Sequence, residues 1–200
     1  MKINKILFSF FISLLFTFNA QAESGAFRNV KNHQYWSSGQ LYINNEKIPR
    51  TVTTSVESRS SLIVDLEKKD LNIIYKIMII TPKNTNEVGT TVARQGETVS
   101  CSARVDQKTL YTPKCVISDD NSYYYATITV DDNFIEECKK GNTVRIKFDL
   151  GMSVYYRYSL RGFTSALNRA TSFLITDEDF FKTPNSKGTP AKTDASYFDI

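Results

Sequence analysis

Apolar and polar side chains alternate with a period of two over much of the chain, and the clearest run lies at residues 143–160. Val144, Ile146, Phe148 and Leu150 fall on one side of an extended segment, with Thr143, Arg145, Lys147 and Asp149 on the other. Beyond a turn at Gly151 the alternation resumes, setting Val154, Tyr156, Tyr158 and Leu160 against Tyr155, Arg157 and Ser159. This is the pattern of two half-buried strands joined as a hairpin. Gly162 ends the second strand, and the spacing then becomes helical. Ala166, Leu167, Ala170, Phe173 and Leu174 share one helix face, with Thr164 placed to cap it.

The same period predicts strands at residues 40–43, 50–58, 61–66, 98–105, 110–117 and 123–130. Residues 73–81 are apolar on both faces, the mark of a central strand covered above and below. Pro113 offers no backbone donor, which pushes the strand at 110–117 toward an edge. A short helix is expected at 134–140, where Asn133 and Glu136 have capping-box spacing, Lys139 and Lys140 suit the negative end, and Gly141 terminates it. Residues 23–34 read as a loose polar lead-in and residues 82–95 as a long surface loop. These elements add up to a mainly β fold, an antiparallel β-sandwich with one or two short helices.

Both ends of the chain modify that picture. Lys2 and Lys5 precede an apolar run at 6–18, and Ala20-Gln21-Ala22 follows, as in a secretory signal. The apolar run is too short to span a bilayer comfortably, and no cysteine follows the cleavage site to carry a lipid anchor. The expected organisation is a signal peptide at 1–22, a single β-sandwich domain at 23–174 and a flexible tail at 175–200, rich in Pro, Ser, Thr and Lys but ending in Tyr197, Phe198 and Ile200. Loss of the two signal lysines takes the net charge from +4 to +2. That balance argues against a nucleic-acid partner, and no second apolar stretch reaches transmembrane length.

Three cysteines lie beyond the signal, Cys101, Cys115 and Cys138. In an oxidising compartment an odd number predicts one disulfide and one spare thiol. Cys101 and Cys115 sit in consecutive strands. A three-residue connection at 107–109 sets them face to face, whereas a four-residue one beginning at Asp106 opposes Cys101 to Lys114. Cys101–Cys115 is the expected pair and Cys115–Cys138 its rival. Cys138 shares a helix face with Phe134 and Ile135, where a buried thiol acts as a small hydrophobe.

Candidate chemistry is sparse. A Ser/His or Cys/His nucleophile needs a nearby histidine, and the only one, His33, falls in the lead-in, where an exposed side chain is expected. The remaining Cys and His cannot supply the usual zinc ligands, and there is no CxxC, GxGxxG or GxxxxGK[ST] motif. Acid pairs at Asp119-Asp120, Asp131-Asp132 and Asp177-Glu178-Asp179 sit where turns and helix starts favour them. No cofactor, metal or catalytic residue is expected. Tyrosines are another matter. Alternation sends Tyr123, Tyr125 and Tyr155 to the face opposite Tyr124, Tyr156 and Tyr158. With Arg157 they make a candidate binding patch for an unidentified protein partner, although tyrosine is also a favoured strand residue on solvent faces.

At residues 159–170, SLRGFTSALNRA, the chain resembles the invasion-associated locus B family of exported bacterial proteins. The upstream order is similar too: a cysteine-bearing β segment, DDNFIEECKKG at 131–141, then the strand pair. The likeness spans roughly residues 95–172 and is weaker over 23–94. The cysteines depart from the family's layout, and Ala126 stands near where a second family cysteine would be sought. The resemblance implies a β-sandwich of the periplasm or cell envelope with no known catalytic residues. Its motif is made of fold-forming residues, so it transfers no functional one. On it rests the expected function, an exported, non-enzymatic envelope protein acting through protein–protein contacts, with host interaction as one setting. The alternative is a small periplasmic inhibitor or immunity-type module that uses the 82–95 loop.

Overall fold

The computed structural model describes residues 25–55, 57–70, 72–83, 96–120, 122–150 and 153–175. The expected signal, loop positions 84–95 and tail positions 176–200 lie outside them. The alternating segments form strands β1 (Ala26–His33), β2 (Trp36–Ile43), β3 (Glu46–Thr54), β4 (Ser61–Lys69), β5 (Asn72–Pro82), β6 (Glu97–Val105), β7 (Leu110–Tyr111), β8 (Lys114–Asp119), β9 (Tyr123–Thr129), β10 (Thr143–Asp149) and β11 (Ser153–Ser159). The helices are α1 (Asp132–Lys140) and α2 (Phe163–Ser172).

All pairings are antiparallel, in the order β1-β2-β3-β4-β5-β9-β8-β6-β10-β11, with the short β7 beside β6. The sheet curls until β11 returns across the ends of the early strands. Three hydrogen bonds mark that closure. Trp36 Nε1 donates to the Ser159 carbonyl at 2.8 Å, Tyr158 and Ser60 share one at 2.6 Å, and Thr81 donates to the Tyr156 hydroxyl at 3.1 Å. The result is a sandwich-like, mainly β fold. Inward-facing residues meet in register across it: Val64 beside Ile77, Ile77 beside Ile128 and Ile128 beside Cys115. On the returning half Val144, Ile146 and Phe148 pair with Val105, Ala103 and Cys101. α2 fills the mouth of the sandwich, burying Phe163, Ala166, Leu167 and Ala170, with Phe163 against the Trp36 ring at 4.7 Å.

Several expectations need correction. The polar lead-in contains β1, which among the described residues pairs with β2 alone, so backbone hydrogen bonding holds it without an apolar face. The strand buried on both faces is β4, where Leu62 through Leu66 are all buried. β5 is central, yet its first half is open and Ile74 is exposed. β8 is central too. Pro113 falls in the break between β7 and β8, where the ladder asks for no donor. α1 starts two residues earlier than expected, capped by Asp131, which accepts from the Phe134 amide at 2.9 Å. Thr164 does not cap α2. Its hydroxyl donates to the Lys139 carbonyl at 2.8 Å, tying the two helices, while Gly162 occupies the cap position at φ 91°. A Cβ on Gly162 would overlap the His33 carbonyl, so only glycine fits there.

Cys101 and Cys115 are disulfide-bonded with Cα atoms 6.2 Å apart, and Cys138 is a buried free thiol. The register differs from both sequence alternatives. Ser100 pairs with Lys114 and Val99 with Cys115, so the cysteines bridge diagonally rather than face to face. Burial pushes the Cys138 thiol up to about 12, which keeps it protonated.

Candidate functional site

The outward positions of β6, β10 and β11 bring arginine, lysine and tyrosine side chains together. Arg104, Arg145 and Arg157 lie directly opposite one another, forming one row across three strands. Ser102, Lys147 and Tyr155 form the next row. Like charges in register repel, and the surroundings relieve that only in part. Arg145 donates to the Asp106 carbonyl at 2.8 Å, and Arg157 is paired with Glu57 from the turn after β3. Lys147 bonds Asp149 at 2.9 Å, and Asp149 also accepts from Ser153 at 3.0 Å. The Lys147 bond holds the Asp149 carboxyl below its ordinary range and the lysine above its own. Tyr155 is 70% exposed and Leu110, beside Arg104, is 56% exposed, so apolar surface flanks the cations.

The expected patch is thereby divided into two pairs. Tyr155 and Arg157 stand together on β11, with Arg145 opposite Arg157. Tyr123 and Tyr125 stand together on β9, their ring centroids 6.4 Å apart. Between them lie β8, β6 and β10, four strand steps of about 4.8 Å each across a curled sheet. The β9 pair is half-buried and committed to a turn. Tyr125 donates to Asp120 at 2.5 Å, and Asp120 accepts from the Ser122 and Tyr123 amides at 2.7 Å each. Burial works to raise the Asp120 pKa, but the Tyr125 hydroxyl, the two amides and Lys83 outweigh it and lower it. Burial, and then the Asp120 bond, raise the Tyr125 hydroxyl.

The crystal structure of invasion associated protein B from Bartonella henselae aligns with a TM-score of 0.51, covering 72% of this chain and 97% of that one at 13% identity. This chain shares that fold. No family profile matches the sequence, and no curated protein matches it. At so low an identity the likeness to invasion associated protein B fixes the architecture and transfers no site.

Two other places on this invasion-associated-protein-B fold could hold chemistry. A shallow groove of about 450 Å³ is lined by Thr109, Tyr111, Asn133, Glu136, Glu137 and Lys140. Of its charges Glu136 is bonded within α1, by Lys139 at 2.5 Å, while one carboxylate oxygen of Glu137 is buried without a hydrogen-bond partner among the described residues. The second place went unforeseen in the sequence. His33 is half-buried, not exposed, and its Nε2 lies 2.8 Å from the Ser38 hydroxyl. Arg169 donates to the same hydroxyl at 3.2 Å and to the Ser38 carbonyl at 3.1 Å. Ser38 is fully buried, so no substrate reaches it, and no carboxylate orients the ring among the described residues. Burial first, then Lys31 and Arg169, lower the His33 pKa. The trio joins the β1–β2 hairpin to α2.

Proposed function

We propose that this is an exported protein of the cell envelope that works by binding another protein, without catalysis, through the outward face of β6, β10 and β11. The observation that carries the reading is Tyr155, 70% exposed beside the in-register Arg145 and Arg157. Large exposed aromatics next to arginines are the composition of interface anchors. Export is supported by the signal-like first 22 residues, by the Cys101–Cys115 disulfide and by a fold shared with a protein named for invasion. The inhibitor alternative rests on a loop outside the described residues.

A photo-cross-linking side chain placed in living cells at Tyr155, Lys147 or Tyr125 tests the reading. Adducts of one size are expected from positions 155 and 147 and none from 125. Adducts from 125 alone, or from none of the three, would overturn it. Protease treatment of the same intact cells then locates the partner. Digestion of the protein places the contact outside the cell, and protection until the outer membrane is opened places it in the periplasm.

A further inference from the structure

Backbone hydrogen bonds fix which groups of β11 face its partner strand and which face away. The Asn142 carbonyl accepts from the Leu160 amide at 2.8 Å, so even-numbered residues of β11 bond to β10. The Thr143 carbonyl accepts from Asp106 on the opposite side at 2.8 Å, so the odd residues of β10 bond to β6. In an antiparallel ladder this alternation is strict. Ser153, Tyr155, Arg157, Ser159 and Arg161 therefore turn their backbone groups to the outer edge. At the far end that edge is closed. The Trp36 indole takes the Ser159 carbonyl, and the Tyr35 amide donates to the Arg161 carbonyl at 3.3 Å. The amides and carbonyls of Ser153, Tyr155 and Arg157 have no partner among the described residues. The strand they belong to is in unbroken register from Ser159 back to Ser153.

Resting on the reading that this face is the contact surface, we infer that β11 is a docking edge for an extended acidic segment of the partner, which adds as a further strand. Charge complementarity selects that occupant. A residue opposite Arg157 on an added strand stands beside the arginine row, and Glu57 already demonstrates that a carboxylate is accepted there. On the inner side of the edge, Val154 and Tyr156 are half-buried, so alternate residues of the segment are apolar. A second copy of β11 is the poorer occupant. Its sequence, SVYYRYS, holds no acid and brings another arginine to the row. Strand addition draws affinity from main-chain bonds and specificity from alternate side chains.

The test uses an eight-residue peptide of alternating glutamate and valine, the same peptide with its glutamates replaced by lysine, and a version methylated at alternate backbone nitrogens. Amide hydrogen exchange and NMR titration of the mature protein read the result. With the glutamate peptide, the Ser153, Tyr155 and Arg157 amides are expected to become protected, and neither control should bind at comparable concentration. Tyr155→Pro removes only an outward amide and should weaken the peptide about tenfold or more, the scale of one or two lost hydrogen bonds. Tyr155→Thr keeps the amide and should retain edge protection. Arg157→Glu should switch preference to the lysine peptide. Equal binding to Tyr155→Pro, no binding of the glutamate peptide, or a concentration-dependent dimer protecting the same amides would each overturn the inference. A Lys147 cross-link in cells that survives Tyr155→Pro would reject the edge while leaving the proposed contact face intact.

Discussion

β1 and β11 are the two outer strands of the same sheet, and among the described residues each has a neighbour on one side only. β1 is interrupted between Arg28 and Lys31, where Asn29 adopts a left-handed φ of 54°. A bulge of this kind bends an edge and spoils it as a template for another chain. β11 has no such break, and Thr143–Ser159 through Asp149–Ser153 pair in continuous register. Their exposed side chains differ as well: β1 shows Arg28, Asn29, Val30, Lys31 and Asn32, whereas β11 presents Tyr155 and Arg157 beside two further arginines, Arg145 and Arg104. Among the described residues, the bulge that guards one edge has no counterpart on the other. On the function proposed above, β1 is a structural border and β11 the edge used for recognition.

The largest effect is expected where the two edges meet. Trp36 is fully buried against Phe163 and holds the Ser159 carbonyl, so Trp36→Ala should cost about 3–5 kcal/mol in chemical denaturation. It should also extend the open edge of β11, seen as faster exchange near Tyr35 and Ser159. Next comes the disulfide, which pins β6 to β8 across a separation of 14 residues. Replacing both cysteines by serine should lower stability by about 3 kcal/mol on the loop-entropy account. A loss confined to β1 would contradict that placement of the bridge.

A smaller effect belongs to β1 alone. Because the His33 pKa is lowered, the unfolded chain binds that proton more readily than the folded one. The contribution of His33 is therefore complete above its ordinary pKa of 6.5 and is lost as the pH falls from there through the folded value. Exchange at β1 should quicken over that range while β11 is unaffected, and His33→Gln should flatten the response. The smallest effect is Tyr155→Pro, which removes no internal hydrogen bond and should change stability by less than about 1 kcal/mol. A larger loss would mean that the Tyr155 amide is already used.

Strands with one buried and one wet face were legible because the period of two is written directly in their side chains, as in Val144–Phe148 and Val154–Tyr158. β1 was not, since an edge held by backbone pairing leaves no apolar signature. Each helix cap lies two positions before the one expected, because Asp131, Asn133 and Thr164 are all competent cap residues and only backbone geometry selects among the candidates. Alternation alone put Tyr155 and Arg157 on an outward face. Their separation from Tyr123 and Tyr125 depends on strand order, which the local pattern does not encode. The Ser38–His33–Arg169 contact likewise joins elements far apart in sequence.

Amide hydrogen exchange of the uncomplexed protein reads whether β11 is a regular, open edge. Alternation along the one strand is expected: Val154, Tyr156 and Tyr158 slow, Ser153, Tyr155 and Arg157 fast. Uniformly slow exchange from Ser153 to Tyr158 would contradict it, because the edge would then be covered already.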